Sequence, residues 1–395
     1  MWHYRRMTLP HDDVDPGGLL EYSVVFTDRS LNHMSARFVG VMQELTAILR
    51  ETYSADHVAI VPGGGSYAME AVARQLATGR RCLVVRNGLF SYRWSQILEA
   101  GGISDDVTVC QASPETPGPE APWRPAPIEE VTAAIRATRP AVVFAPHVET
   151  ASGMILPEDY LRALTAATHE VGGLFVLDCV ASGALWVDME DVGVDVLITA
   201  PQKGWSGSPG AGYVMLGAAA KAAVEQRASS SFSLDLGKWL FIAEEYRAGR
   251  SPYHATMPTD TLTRNLDLAR ETVAAGRETL RARQVDLGAR VRQALAGRGF
   301  APVAAGEFAA PSVVVVHTRD PEVHTAAKFK PVGLQAAAGV PLQCGEGADF
   351  STVRFGLFGL DKLGDVDGAV ARFEAALDAA GFAPQAGRHL AAGEG

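Results

Sequence analysis

Short, unbroken apolar runs alternate with amphipathic stretches through the first half of the chain. Runs of Val, Leu, Ile and Phe without polar residues at alternate positions indicate strands that are buried on both faces. Such strands in regular alternation with helices are typical of a mostly parallel sheet. The sequence therefore predicts an α/β fold, with strands at residues 58–61, 82–86, 107–110, 141–145, 174–178 and 196–199.

A glycine run lies between the first predicted strand and a helix. Gly63, Gly64 and Gly65 follow the strand and Pro62, and the helix is predicted to begin near Ser66. Apolar residues three and four positions apart predict one buried face of this helix, with Met69, Val72, Ala73 and Leu76. The opposite face is predicted to be exposed, with Glu70, Arg74 and Gln75. A further helix is predicted before the strand, at residues 34–53.

The pattern changes near residue 262. Beyond it the sequence predicts a smaller α+β domain, with a helical run at 264–298, strands at 312–317 and 352–355, and helices at 322–337 and 366–380. The proline-rich residues 112–127 are predicted to form a surface loop. We therefore divide the chain into an N-terminal arm (1–24), a large domain (25–262), a small domain (263–385) and a flexible tail (386–395).

Composition and charge narrow the classes of function. A chain of 395 residues with 47% hydrophobic content buries a large core. The formal net charge is -10 and no dense Lys/Arg cluster is present, which argues against nucleic acid or an anionic membrane as a partner. No eighteen apolar residues run together and Met1 to Gly18 hold no continuous apolar segment, so a cytoplasmic protein that binds small molecules is expected.

The cysteines give no sign of a metal or redox site. Cys82, Cys110 and Cys179 lie in apolar runs, and no CxxC pair occurs among the four cysteines. We expect reduced core thiols and no bound metal.

The glycine run is a candidate phosphate-binding loop. A turn between a strand and a helix gathers backbone N–H groups at the positive end of the helix, which favours a phosphate. The same residues, Gly63-x-Gly65-x-x-Ala68, meet the loose dinucleotide fingerprint. NAD would need an acidic residue at the end of the next strand, but Asn87 and Gly88 follow Arg86. An NADP-binding oxidoreductase stays as a weaker alternative.

Two charged residues follow buried strands further along the chain. Asp178 ends the strand at 174–178, where open α/β sheets have their ligand crevice. Lys203 follows the strand at 196–199. Taken alone, the aspartate fits a helix cap and the lysine fits a solvated surface. Together with a phosphate-binding loop they supply what pyridoxal phosphate requires: an anion site, a carboxylate that keeps the pyridine nitrogen protonated, and an amine for the Schiff base.

Two segments have the spacing of a known family. Leu177-Asp178-Cys179-Val180-Ala181-Ser182, followed by Ala200-Pro201-Gln202-Lys203-Gly204, resembles the aspartate and Schiff-base lysine motifs of the class V aminotransferases. That family includes alanine-glyoxylate, serine-pyruvate and phosphoserine aminotransferases and, more distantly, the cysteine desulfurases. The resemblance covers about Val61 to Leu360 and implies the fold of type I pyridoxal-phosphate enzymes, with Lys203 and Asp178 as catalytic residues.

The resemblance also implies a set of binding residues. It implies phosphate contacts from Gly64, Gly65, Ser66 and Gln202, ring contacts from Phe90 and Thr150, contacts across a homodimer interface from Tyr253 and Thr256, and a grip on the substrate carboxylate by Arg354. Four of these residues also have a purely structural interpretation. Phe90 and Tyr253 could be core aromatic residues, Thr150 could be a strand residue, and Arg354 could form a structural ion pair. His147 is interpreted as structural.

The function implied by the resemblance is transamination from an α-amino acid to a small 2-oxo acid such as pyruvate or glyoxylate. Two departures from the family pattern are visible: Phe90 stands where many relatives have tryptophan, and Pro341 to Glu346 lack paired glycines. A lyase or desulfurase that uses Cys344 is the alternative, and it would need a thiol with a low pKa.

Overall fold

The computed structural model describes Leu9, residues 11–22 and residues 28–385. The predicted tail at 386–395 lies outside the described residues, and the predicted arm at 1–24 is described only in part. Among the described residues, no helix has the length and apolar character needed to cross a bilayer.

The first two thirds of the chain alternate between helices and strands. The helices are α1 (Ala36–Tyr53), α2 (Gly65–Leu76), α3 (Leu89–Ala100), α4 (Ile128–Thr138), α5 (Glu158–Glu170), α6 (Met189–Val192), α7 (Ala218–Glu225), α8 (Leu236–Arg247) and α9 (Thr259–Ala274). The strands are β1 (His57–Pro62), β2 (Cys82–Arg86), β3 (Val107–Gln111), β4 (Ser113–Pro114), β5 (Trp123–Arg124), β6 (Val142–Pro146), β7 (Val148–Glu149), β8 (Met154–Ile155), β9 (Leu174–Asp178), β10 (Val196–Thr199) and β11 (Ala211–Leu216).

A sheet of seven strands forms the centre of the described part, in the order β1-β11-β10-β9-β6-β2-β3. The pairs β2/β3, β2/β6, β6/β9 and β9/β10 are parallel, whereas β11 pairs antiparallel with β1 and β10. The predicted mostly parallel sheet is confirmed. Strand β11 was missing from the prediction although Ala211–Leu216 is fully buried.

The faces of the sheet are covered by helices. Met69, Val72, Ala73 and Leu76 of α2 are buried, as the apolar spacing predicted. Gln75 is buried too, contrary to prediction, because its side-chain amide donates hydrogen bonds to the carbonyl oxygens of Val224 and Arg227. A polar side chain on a helix face is therefore buried where a neighbouring turn offers acceptors.

The remaining elements form a smaller α+β unit. They are α10 (Arg277–Ala296), β12 (Val313–His317), α11 (Pro321–His324), β13 (Ala337–Ala338), β14 (Thr352–Gly356), α12 (Leu360–Leu363) and α13 (Val366–Ala379). Strands β12, β14 and β13 pair antiparallel in that order. Short 3-10 turns lie at Gly306–Phe308 and Ala327–Val332.

The predicted helix at 322–337 is wrong. The segment contains α11, the 3-10 turn Ala327–Val332 and the start of β13. Ala326 has a left-handed φ of 60°, which ends α11, and Pro331 lies inside the turn. The apolar spacing there arises from a compact turn and not from a continuous helix.

The predicted helical run at 264–298 is divided between α9 and α10. Gly276 separates the two helices with a φ of 84°, a conformation that glycine adopts at little cost. Leu266 of α9 belongs to the same core as the large sheet, whereas Leu287 of α10 packs in the core of the smaller sheet. A boundary between the domains at 262/263 stays a prediction.

The loop at 112–127 contains a short antiparallel pair, β4 with β5. Its Trp123 is buried and exchanges backbone hydrogen bonds with Val303 and Ala305 beyond α10. Trp123 belongs to a third core cluster, which also includes Val148, Val315 and Leu342. This cluster joins the large sheet to the smaller one beside the candidate site.

Candidate active site

The carboxyl ends of three neighbouring strands define the site. Strand β6 ends at Pro146, which is opposite Asp178 at the end of β9, and Asp178 is also opposite Ile198 of β10. Parallel strands end at one edge of a sheet, so the segments that follow them converge there. These segments contain Thr150, Asp178 and Lys203, as the sequence predicted for a ligand crevice.

Asp178 is a buried carboxylate with one backbone donor. Its Oδ1 accepts a hydrogen bond of 2.9 Å from the Val180 N–H, and only 8% of the residue is exposed. Burial raises the pKa of Asp178 to about 6, and the negative charge of Glu149 adds to this, while the charges of Arg93 and Lys203 oppose it. A cationic group placed against this carboxylate would stabilise its charged form.

Lys203 lies in a turn after β10 that fits tightly against another backbone. A Cβ atom on the next residue, Gly204, would lie 2.1 Å from the carbonyl oxygen of Gly183, so no side chain fits there. The Lys203 Nζ atom lies 5.3 Å from the ring centroid of Phe358. Among the described residues it forms no salt bridge with a carboxylate.

The surroundings of Lys203 favour a neutral amine. Burial lowers its pKa, the positive charges of Arg354 and Arg93 lower it further, and only Asp178 opposes them. A neutral amine is a nucleophile, so the environment suits an attack on a carbonyl group. Both Asp178 and Arg354 act electrostatically on Lys203, which indicates that the fold brings these two predicted residues close to the lysine.

Two guanidinium groups lie close to the Phe90 ring. The Arg93 Cζ atom is 5.2 Å and the Arg354 Cζ atom is 5.5 Å from the centroid of its ring. Arg354 extends from β14, and its Nε atom donates a 2.8 Å hydrogen bond to the carbonyl oxygen of Ala338 in β13. Burial lowers the pKa of Arg354. Two cations and an aromatic face therefore line the site near Lys203.

The predicted phosphate-binding loop lies at the start of α2. Gly64 precedes the helix, Gly65 begins it, and the exposed Ser66 follows. A Cβ atom on Gly65 would lie 3.0 Å from Cγ2 of Val180, so the loop is adjacent to the segment after Asp178. The Ser66 hydroxyl accepts a 2.9 Å hydrogen bond from Nη1 of Arg93.

Four predicted residues are less closely connected to this centre. Thr150 is half-buried in the turn between β7 and β8, and Gln202 is exposed beside Lys203. Tyr253 and Thr256 are exposed, and the Tyr253 ring lies 5.6 Å from that of His33. Their roles stay predictions.

Two residues at the site were missed by the sequence analysis. Glu149 is completely buried and accepts hydrogen bonds from the backbone N–H groups of Phe90, Ser91 and Ala151. Arg93 lies one helical turn after Phe90 on α3. A carboxylate at a buried strand end and an arginine three positions after a predicted ring-stacking residue are signals that could have revealed both.

The thiol of Cys344 does not fit the desulfurase alternative. It is buried, and burial together with the charge of Glu346 raises its pKa to about 12. A sulfur acceptor needs an accessible thiolate. His147 fits its structural interpretation, because its Nδ1 atom lies 2.7 Å from the Ser182 hydroxyl and burial lowers its pKa to about 4.

The residues present fit pyridoxal phosphate. A buried carboxylate lies near an amine whose pKa is lowered, and a glycine loop at a helix N-terminus lies beside both. Within the described residues, no group of three or more His, Cys, Asp or Glu side chains is arranged to hold a metal ion.

Comparison with known proteins agrees with this geometry. Residues 20–250 match the family model described as aminotransferase class-V. A 2-aminoethylphosphonate--pyruvate transaminase from Burkholderia ambifaria is 28% identical over 363 residues, 91% of each chain. An L-aspartate--glyoxylate aminotransferase from Paracoccus denitrificans is 30% identical over 267 residues, which cover 66% of this chain and 62% of that protein.

The fold agrees as well. The solved structure of an alanine--glyoxylate aminotransferase from Nostoc sp. superposes with a TM-score of 0.75, at 22% identity and with 89% of each chain covered. The predicted fold type, family and cofactor are thereby confirmed. The chain belongs to the class V aminotransferase family and is a pyridoxal-phosphate-dependent aminotransferase.

Proposed function

We propose that the enzyme transfers the amino group of an α-amino acid to a small 2-oxo acid, with Lys203 as the lysine that bonds the cofactor. The observation that carries the proposal is the position of Asp178 at the end of β9 and of Lys203 in the turn after β10, the parallel strand paired with β9. When bound, pyridoxal phosphate supplies an electron-withdrawing ring that stabilises negative charge at the substrate Cα atom. Asp178 would accept the hydrogen bond of the protonated pyridine nitrogen and keep the proton there.

The other residues bind the substrate and move its proton. Arg354 has a planar guanidinium group that binds the α-carboxylate by two parallel hydrogen bonds. With the cofactor bound, the Lys203 amine would take the proton from the substrate Cα atom and return it, and its lowered pKa favours the neutral form that can accept a proton. Phe90 would cover one face of the cofactor ring and exclude water, and Thr150 would contact the ring edge.

Pyruvate or glyoxylate is the proposed amino acceptor. The names of the similar proteins from Burkholderia ambifaria and Paracoccus denitrificans contain these two 2-oxo acids. Both acceptors carry a carboxylate next to the carbonyl carbon, so Arg354 would hold acceptor and donor in the same way.

A homodimer completes the proposed site. Tyr253 and Thr256 would extend from each subunit to the cofactor phosphate of its partner, and Gln202 would contact that phosphate from its own subunit. Tyr253 is itself an exposed aromatic residue (60%), and the large apolar side chains of Phe232 (76%) and Phe241 (50%) are exposed nearby in the sequence. Exposed apolar patches mark protein interfaces. The four free cysteines suit the reducing cytoplasm, which is the proposed location.

The test is an absorption titration of the wild-type protein and of the Lys203→Ala and Lys330→Ala variants with pyridoxal phosphate. Lys330 is exposed and serves as the matched control. Wild type and Lys330→Ala are expected to form a visible band that an amino donor bleaches and pyruvate or glyoxylate restores. Lys203→Ala is expected to lose turnover. Full turnover in Lys203→Ala, or release of ammonia or sulfide in place of the reversible half-reaction, would overturn the proposal.

A further inference from the structure

Arg93 has no role in the function proposed so far, yet its guanidinium group lies at the site. It extends from the first turns of α3, lies 5.2 Å from the Phe90 ring centroid and donates a 2.9 Å hydrogen bond to the Ser66 hydroxyl. Arg93 therefore connects the residue proposed to cover the cofactor ring with the loop proposed to bind its phosphate.

The charge of Arg93 is not neutralised by the protein. Among the described residues, no carboxylate lies within salt-bridge distance of its guanidinium, whereas Arg74 of α2 is paired with Glu70. The positive charge of Arg93 lowers the pKa of both Asp178 and Lys203, so its field extends into the site. A half-buried cation without a counter-ion at a ligand site indicates that the ligand supplies the negative charge.

The proposed phosphate-binding loop has no cationic side chain of its own. Gly63, Gly64, Gly65 and Ser66 provide N–H groups and a hydroxyl but no positive side chain. A phosphate monoester carries between one and two negative charges at neutral pH. Backbone donors at a helix N-terminus compensate only part of that charge.

The position of Arg93 is fixed by its neighbours on α3. Glu149 accepts hydrogen bonds from the N–H groups of Phe90 and Ser91 at the start of the helix. The next residue, Trp94, is fully buried and stacks on Phe144 at 4.3 Å between ring centroids. Because the backbone beside Arg93 is anchored and its guanidinium is already hydrogen-bonded to Ser66, the side chain loses less freedom when it binds an anion, which favours tight binding.

We propose that Arg93 binds the phosphate group of the cofactor, from the α3 side and next to the Ser66 hydroxyl. This inference rests on the proposed function, because it takes the loop at Ser66 as the phosphate site. An anionic group of the amino donor would be the other source of negative charge. The phosphate is favoured because Arg93 is hydrogen-bonded to the loop, whereas Arg354, the other cation beside the Phe90 ring, is available to the donor.

The test compares the affinities of the apoenzyme for pyridoxal 5'-phosphate and for pyridoxal, which lacks the phosphate. Arg93→Gln is expected to weaken pyridoxal phosphate binding about 10- to 100-fold and pyridoxal binding less than about 2-fold, because a charge-assisted hydrogen bond is lost only in the first case. Arg93→Lys keeps the charge and is expected to fall between wild type and Arg93→Gln. Arg319→Gln, at an exposed arginine, is the control and should match wild type.

A second measurement uses inorganic phosphate as a competitor of pyridoxal 5'-phosphate binding to the wild-type and Arg93→Gln apoenzymes. Weaker competition in the variant is expected. Equal loss of affinity for pyridoxal and its phosphate, or an unchanged ratio with a raised donor KM, would overturn the role of Arg93 in phosphate binding. Failure of the wild-type apoenzyme to bind pyridoxal phosphate would instead overturn the proposed function, so the two failures are distinguishable.

Discussion

The carboxylate of Glu149 accepts two hydrogen bonds from Ser91, one from its backbone N–H at 2.8 Å and one from its hydroxyl at 2.7 Å. The backbone N–H groups of Phe90 and Ala151 also donate hydrogen bonds to this carboxylate, at 3.3 and 2.9 Å. The start of α3 is thereby attached to the turn that follows β7. Burial raises the pKa of Glu149, and these donors oppose the rise.

Removal of the Glu149 carboxylate should destabilise the protein. Glu149→Ala leaves buried donors without an acceptor and is expected to lower the free energy of unfolding by about 3 kcal/mol. Glu149→Gln keeps one acceptor oxygen and should lose less. Denaturation of the apoenzyme with urea measures both, with Glu170→Ala as the control because Glu170 forms an exposed pair with Arg136. A Glu149→Ala protein as stable as the control would contradict the anchoring role.

The burial of Asp178 should make the stability of the apoenzyme depend on pH. Its pKa is raised to about 6 in the folded chain, so its contribution to stability is greatest at low pH and is lost as the pH rises through that value. Between pH 5 and 7 the free energy of unfolding of wild type is expected to fall by about 1 kcal/mol relative to Asp178→Asn. Chemical denaturation measures the free energy of unfolding of both apoproteins at each pH. The same pH dependence in wild type and Asp178→Asn would refute the raised pKa of Asp178.

Substitution of Arg354 should weaken substrate binding more than cofactor binding. Arg354→Gln loses a bidentate carboxylate contact, so the KM of the amino donor is expected to rise about 10- to 100-fold with cofactor affinity unchanged. Arg354→Lys should be impaired as well, because the ammonium group lacks the planar pair of donors. Steady-state kinetics measure the effect, with the exposed Arg372→Gln as the control. A change in cofactor affinity with normal donor KM would contradict the assignment.

Cys344 should be chemically inert in the folded enzyme. Its thiol is buried, has a pKa raised to about 12 and makes a weak hydrogen bond of 3.5 Å to the carbonyl oxygen of Arg86. At about pH 8, near the pKa of a free thiol, it is expected to react with a thiol reagent only after unfolding, and Cys344→Ser should retain transamination. Rapid labelling of Cys344 in the native protein, identified by peptide mass, would reopen the lyase alternative.

The turn that holds Lys203 should not tolerate a side chain at Gly204. A Cβ atom there would meet the Gly183 carbonyl oxygen, and the displaced backbone should cost about 1 to 3 kcal/mol of stability and weaken cofactor loading. Gly40→Ala is the matched control, because Gly40 is inside α1 and a Cβ atom added there would have no heavy atom within 4 Å outside its own helix turn. Thermal unfolding and the visible absorbance per subunit measure the two effects. Wild-type loading in Gly204→Ala would show that the close approach is dispensable.

The sequence determined the large sheet apart from β11, and it identified the two principal catalytic candidates. Strands that are buried on both faces need continuous apolar residues. The unbroken apolar runs therefore predict β2, β9 and β10 from the sequence alone. Asp178 and Lys203 were identifiable because one ends such a strand and the other follows the next strand along the chain. The sequence was less informative where turns interrupt an apolar pattern, as at Ala326 and Gly276, because apolar spacing does not record backbone dihedrals.

Only the tertiary structure decided which distant side chains meet. Arg354 reaches Phe90 because β14, which pairs with β13, brings the arginine side chain to the start of α3. Gln75 is buried because α7 and the turn after it supply acceptors for its side-chain amide. Arg93 reaches Ser66 because the helices α2 and α3 begin near each other at the same edge of the sheet. Such contacts depend on the relative positions of elements and on side-chain direction, which a local pattern of polar and apolar residues does not specify.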